Sequence, residues 1–449
     1  MTGANYLVEG DPSTSSGRPV RVLVDCGLHQ GSNFCEKHNW EPFPYDPKEI
    51  DAVFITHSHI DHVGRLPSLV KAGFEGKIYS TPPTRDAAEL LLLDSNHILA
   101  QTAERFKLPV LFNDDDVKKV MELWEGINYY EFKSLNSFKV QLYNAGHILG
   151  SAFVAVEEEI ASPPRRAVGL AMTNKKIIFS GDLGNSPAPL LGDKDNLLET
   201  DYVVMESTYG DRLHEKSDQR KELLEDIVED TVKRGGVLLI PAFAMERTQE
   251  LIFELNQLAE QGRIPRVPIY IDSPLAIKLI EVYKKYKNYI SVPLDFHFPG
   301  IKMTLTTDES KAINEVPPPK IIIAGSGMSH GGRILHHERR YLADAKSTLL
   351  VIGYQAAGSL GRQILDGAQS VKIFGEEIPV RCRVTNIAGY SAHADQAQLL
   401  QWLNPQRQVL EKVFLVQGEE QASDALAGKI KDEMAVVAEV PELGRVYEL

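Results

Sequence analysis

The stretch FITHSHIDHVGRLP, Phe54 to Pro67, places His57, His59, Asp61 and His62 within six positions. An apolar run, AVFITH (52–57), leads into it and reads as a strand. In extended chain, residues i and i+2 point the same way, so His57 and His59 can converge on one point. Gly64 follows, and the apolar spacing of 66–72 predicts a helix. The cluster therefore sits in a strand-to-helix loop, where ligands can be aimed without burial in a sheet. Imidazole and carboxylate together suit zinc, manganese or iron better than calcium. One histidine at a strand end is ordinarily structural; four ligand-competent side chains at this spacing point to a metal centre.

Two further strand ends carry ligand-competent residues. KVQLYNA (139–145) is followed by Gly146 and His147, and KIIFSGD (176–182) closes on Gly181 and Asp182. Either turn alone is ordinary. Strands of one sheet, however, could bring all three ends to one edge.

Short apolar runs alternate with helical patterns along the whole chain, which predicts an α/β fold. The first half holds strand candidates 21–26, 52–57, 139–145, 176–182 and 202–207. It also holds helices 82–106, opened by Pro82-Pro83, and 114–125, opened by aspartates. From about 211 the pattern changes to strands at 237–243, 267–272, 320–325 and 347–353, alternating with helices at 216–234, 246–261, 274–286 and 332–344. That alternation predicts a parallel, doubly wound sheet. A third zone from about 376 resumes with strand VRCRVTNIAG, helix 394–404, strand 412–417 and helix 420–433. The polar insertions 11–19 and 157–174 read as surface loops.

A chain of 449 residues is long for one core, so two domains are expected. Three cysteines, Cys26, Cys35 and Cys382, form no CxxC pair. A disulfide framework and a thiolate zinc finger are therefore not expected, and a reducing cytoplasm is. No signal peptide or membrane span is read. A net charge of −14 argues against a general nucleic-acid binder, though metal ions and a local basic groove would alter that balance.

His-x-His-x-Asp-His, then Gly-His, then Ser-Gly-Asp, resembles the metallo-β-lactamase superfamily. The resemblance implies an αβ/βα sandwich with a two-metal site at one sheet edge. It implies that His57, His59 and His147 bind one zinc, that Asp61 and His62 bind a second, and that Asp182 bridges them. VVMESTYGDRLH (203–214) and GYSAHADQAQLL (389–400) further resemble motifs of the β-CASP branch, with Glu206 and His393 in the acidic and histidine positions. IPAFAMERTQEL (240–251), IDSPLA (271–276), GSGMSHGGRILHH (325–337) and GYQAAGSLGRQILDG (353–367) are similar to that branch too, so the resemblance covers nearly the whole chain. It implies a doubly wound β-CASP domain (211–375) inserted into a metallo-β-lactamase domain (1–210 and 376–449). The implied activity is ribonuclease, acting on RNA, chiefly single-stranded. A water between the metals would act as nucleophile, with Asp61 in the catalytic set, His393 as general acid and Glu206 orienting it. The glycines at 325, 327, 331 and 332 let backbone amides approach phosphate. Ser326, Ser329, His330, Arg333 and, more weakly, Arg362 are the phosphate-contact candidates. A homodimer is compatible with the branch.

Two departures stand out. Where the branch has a further metal-binding histidine, FLVQGEE (414–420) has Gln417, a poorer zinc ligand. Weaker occupancy of the second position, or a preference for manganese, is expected. The chain also opens at Met1-Thr2-Gly3-Ala4, which predicts loss of a short edge strand. Two other functions compete: an RNA-binding or scaffold protein with weakened chemistry, and a metallo-hydrolase of small esters or thioesters.

Overall fold

The computed structural model describes residues 3–10, 18–30, 37–158, 175–214, 217–293, 296, 298–353, 355–356 and 358–449. Most of the two polar insertions, Met1-Thr2 and Cys35 lie outside the described residues. Contacts divide the chain into two units: Met1–Ala188, Asp193–Leu213 and His393–Leu449 form one, Pro189–Gly192 and His214–Ala392 the other.

The first unit begins with β1 (Tyr6–Glu9), β2 (Arg21–Val24), β3 (Ala52–Phe54), β4 (Lys77–Ser80) and β5 (Trp124–Gly126), which form one sheet in that order. The helix Pro82–Phe106 fills the link between β4 and β5. Thr81 caps its start, its side chain accepting from the N–H of Thr84, and Lys107 ends it in the left-handed region. The helix Asp114–Leu123 opens on a reciprocal cap between Asn113 and Asp116. Next come β6 (Phe132–Leu135), β7 (Phe138–Asn144), β8 (Ala152–Glu158), β9 (Lys176–Phe179) and β10 (Tyr202–Glu206). β7 alternates buried and half-buried positions, as a strand with one face on the core should. β8 and the short strands β1, β4, β5 and β6 went unrecognised in the sequence.

The second unit is a six-stranded parallel sheet. Its strands are β11 (Val237–Pro241), β12 (Ile269–Asp272), β13 (Ile301–Met303), β14 (Lys320–Ala324), β15 (Thr348–Ile352) and, after a hairpin of β16 (Ser370–Ile373) and β17 (Glu376–Pro379), β18 (Arg383–Ile387). Their spatial order is β13-β12-β14-β11-β15-β18. β11, β14 and β15 are buried at every position, which explains their unbroken apolar runs. β18 pairs along its whole length with β15. By its contacts the second unit extends to Ala392. The sequence of β18 does not reveal which sheet it joins; its pairing partner does.

The chain then re-enters the first unit with β19 (Lys412–Val416) and β20 (Val437–Glu439), completing a second sheet of order β20-β19-β10-β9-β8-β7-β6. Val22, Val24 and Phe54 of the first sheet pack in one core with Val140, Val154, Val204 and Phe414 of the second. The outer face of the first sheet is covered by side chains of the helices at 82–106 and 114–123. That of the second sheet is covered by the helices Gln396–Leu403 and Glu420–Met434. This is the helix–sheet–sheet–helix sandwich expected.

Candidate metal centre and acid pair

β3 ends at Phe54, and the chain runs through Ile55 and Thr56 to His57. His59 precedes a single helical turn, Ile60–Val63, that carries Asp61 and His62. The turn is held from the far side by residues after β2. Cys26 N–H bonds to His62 O and Leu28 N–H to Ile60 O. Gly27 lies so close that a Cβ there would stand 1.6 Å from the Asp61 carbonyl oxygen, so only glycine fits.

Four ligand atoms, from His57, His59, His147 and Asp182, lie within 4.8 Å of one another. His57 Nε2 is 3.1 Å from His59 Nδ1, and His147 Nε2 is 3.3 Å from the same atom. Asp182 Oδ2 stands 3.4 Å from His57 Nε2 and 3.5 Å from His147 Nε2. Burial holds His57 and His147 well below the usual imidazole pKa and pushes His59 down to about 4. Neutral imidazoles are the ligating form. Nitrogen lone pairs converging this closely on a carboxylate suit a bound cation, so the residues fit a metal ion.

The other carboxylate oxygen, Asp182 Oδ1, lies 3.4 Å from His62 Nε2, and Asp61 Oδ2 lies 4.0 Å from that nitrogen. Asp182 thus faces two sets of donors. Burial alone would raise its pKa, but the surrounding imidazoles, His62 first, outweigh it and hold the carboxyl well below its usual range.

Beneath the cluster lies Asp25, which the sequence reading missed. It is fully buried and accepts from Thr56 N–H (2.8 Å), Thr56 Oγ1 (2.8 Å) and His62 Nδ1 (2.7 Å). Because the Thr56 hydroxyl donates to Asp25, it is left to accept from His57 Nδ1, 3.1 Å away. That places the His57 proton on Nδ1 and the lone pair of Nε2 toward the site. The available signal was an aspartate closing an apolar strand, VLVDCG, as Asp182 closes another.

A separate pair borders this cluster. Glu206, the last residue of β10 and fully buried, has Oε2 2.9 Å from His393 Nδ1 and accepts from Leu183 N–H on Oε1. His393 bridges to Gly184 as an isolated strand pair, and its neighbour Ala394 bonds to Leu183 O. Burial lowers the His393 pKa, but Glu206 and then Asp182 override it and raise it to about 9. Asp182, Glu206 and His393 also come within ligand reach of one another. Both Glu206 oxygens are already engaged, however, so the geometry is that of a held imidazolium rather than a third ligand set.

Three domain families match this chain: a metallo-β-lactamase superfamily domain at residues 17–162, the Beta-Casp domain at 248–364, and a Zn-dependent metallo-hydrolase RNA specificity domain at 377–441. A Thermus thermophilus protein named as a ribonuclease is 38% identical over 439 residues, covering 96% of this chain and 93% of its own. The chain belongs to the β-CASP branch of the metallo-β-lactamase superfamily. An RNase J-like protein of Methanocaldococcus jannaschii is 33% identical and 94% covered. The transcription termination factor FttA of Methanosarcina mazei is 30% identical, and this chain spans 66% of its length. A solved structure of a protein of unknown function from Enterococcus faecalis V583 superposes with a TM-score of 0.53 at 12% identity, over 99% of this chain and 96% of that one, a likeness of fold alone.

In this β-CASP protein the phosphate-contact candidates all lie in the second unit. Several are engaged internally. Arg333 donates to Asp272 and to the carbonyls of Thr304 and Leu305. Ser329 donates to Glu338, and the Ser326 hydroxyl accepts from the N–H groups of His330 and Gly331. Arg362 pairs with Asp366 at the surface. Phe243 packs against Gly327, and Met245 is buried. No helix among the described residues is long and apolar enough to cross a membrane.

Proposed function

We propose that the protein is a metal-dependent ribonuclease that hydrolyses RNA phosphodiester bonds, chiefly in single strands. The observation that carries this reading is the juxtaposition of a buried histidine–carboxylate cluster with the Glu206–His393 pair, Asp182 belonging to both. The ribonuclease and RNase J-like relatives, and the RNA specificity domain match, support RNA as the substrate.

His57, His59 and His147 would hold one ion, Asp61 and His62 a second, with Asp182 between them; zinc suits the first set. Such ions supply charge neutralisation at the phosphoryl oxygens and a nucleophilic water at neutral pH. The chain's own residues do the rest. Glu206 engages His393 at Nδ1, so the proton that departs would leave from Nε2 to the leaving oxygen of the phosphodiester. Buried Glu206 both orients the ring and favours its protonated form. Asp25 fixes the ring of His62, and through Thr56 that of His57.

The test is cleavage of a labelled single-stranded RNA with zinc or manganese added, comparing the native protein with His393→Ala, alongside a thioester substrate. RNA cleavage lost in the variant supports the proposal. Thioester hydrolysis without RNA cleavage overturns it.

A further inference from the structure

One polar side chain at the sheet edge has no explanation in the hydrogen bonding of the fold. Gln417 follows β19 in the left-handed region, at φ +60°, and is 8% exposed. In the parallel register of β10 and β19, Glu206 pairs with Val416, and Ser207 N–H bonds to Val416 O. Gln417 therefore stands one step beyond Glu206, and its own carbonyl accepts from Thr208 Oγ1 at 3.3 Å. The backbone is fastened at the edge that carries Glu206. The side chain is not: neither amide atom has a hydrogen-bond partner among the described residues. Buried polar groups in folded proteins are nearly always paired, so an unpaired amide at this edge calls for a partner. His62 Nε2 is buried with no hydrogen-bond partner either.

The two donor sets differ in kind. Three imidazoles and a carboxylate converge in the first. The second would draw on one imidazole, His62, whose Nε2 lies 4.0 Å from Asp61 and 3.4 Å from Asp182, and on the neutral amide of Gln417. Amide oxygen is a weak donor for zinc; oxygen-rich sets favour harder ions, which are often completed by substrate phosphate.

We infer, resting on the metal-dependent reading above, that the two positions load unequally. The first ion binds in the resting protein, while the second, held by Asp61, His62, Asp182 and Gln417, binds weakly until an RNA phosphodiester supplies a further oxygen donor. Metal and RNA are then linked: each strengthens the other's binding by the same factor. The consequence is a nuclease whose competence follows the local supply of an oxygen-preferring divalent cation.

The test uses metal-free, full-length His393→Ala protein, which limits turnover. It is titrated with manganese by calorimetry and electron paramagnetic resonance, with and without single-stranded RNA. We expect one tight equivalent without RNA and a second that tightens at least tenfold when RNA is added. Adding Gln417→His, or separately Gln417→Glu, should tighten the second equivalent about tenfold without RNA. Agreement between the two variants guards against a folding artefact. Two equivalents of equal affinity, indifferent to RNA, would overturn the inference and leave the ribonuclease reading standing. So would a second equivalent that neither variant changes. Binding of no ion at all would overturn both.

Discussion

Asp25 and His62, 37 positions apart in the chain, meet in a fully buried contact of 2.7 Å between Oδ2 and Nδ1. The contact fixes which His62 nitrogen faces Asp182 and, through Thr56, which His57 nitrogen does. Partners of this kind, once removed, typically weaken metal binding 10–100-fold. Asp25→Asn should therefore lose metal to a competing chelator at roughly 10-fold lower chelator strength. Metal equivalents retained after graded chelation measure this. Full retention would make Asp25 a packing residue only.

His393→Ala should lower kcat for RNA cleavage by about 10²–10⁴-fold, the usual worth of a positioned general acid. Its tightly bound metal should be unchanged, since Nδ1 of His393 is committed to Glu206. Glu206→Gln removes the charge and leaves one acceptor oxygen for both Leu183 and His393, and should fall between. Loss of metal in His393→Ala would instead make the histidine a ligand.

Removing metal should abolish cleavage and also lower thermal stability. The converging His57, His59, His147 and Asp182 would be left buried without a cation between them. Anything that binds the native state alone adds RT ln(1 + [L]/Kd) to stability. The melting temperature should fall on chelation and recover with zinc or manganese. A melting temperature indifferent to chelation would count against the metal centre.

Glu338, in the second unit, is buried and accepts from Ser329; burial pushes its carboxyl up to about 7. The folded protein therefore holds this proton more tightly than the unfolded chain does. Stability from this group is fully present below the ordinary glutamate pKa of 4.5 and declines as pH rises toward 7. At about 1.4 kcal/mol per pKa unit, the loss approaches 3.5 kcal/mol. Glu338→Gln should flatten the decline between pH 5 and 7 and unfold at a higher urea concentration at pH 8. An unchanged slope would remove Glu338 as its source.

Asp272 accepts from Thr304, Ser310, Arg333 and His337, all within 2.7 Å, and is fully buried. Burial opposes its charge, but the bonds from His337, Ser310, Thr304 and Arg333 together hold its carboxyl well below the usual range. Asp272→Asn leaves Arg333 without its counter-ion and should destabilise the second unit by about 3–5 kcal/mol. The urea midpoint reads this directly. A loss under 1 kcal/mol would show that the carboxylate is dispensable.

The parallel strands of the second unit were legible because full burial makes their runs uniformly apolar. The helix Pro82–Phe106 was legible to the residue, since its prolines sit where no N–H is needed and its length supports the pattern. The strands β1, β4, β5 and β13 were not, because three or four residues are too short to show a period of two. Which sheet the segment 376–392 joins was not legible, because strand pairing is non-local. Arg383–Ile387 would fit the edge of either larger sheet by composition, and only its register with β15 decides.

What the sequence by itself determined was local chemistry. Four ligand-competent residues in six positions, with His147 and Asp182 at later turns, pointed to a candidate metal centre, because ligand type and spacing survive without knowledge of the fold; Glu206 and His393 stood out only through the family resemblance. Tertiary structure alone decided three things. It placed Asp25 under His62, gave Glu206 to His393 across 187 positions, and left the Gln417 amide buried without a partner. Each depends on which strands are neighbours at the sheet edge. Strand order and register are set by cooperative burial of whole sheets, and no short stretch of sequence contains them.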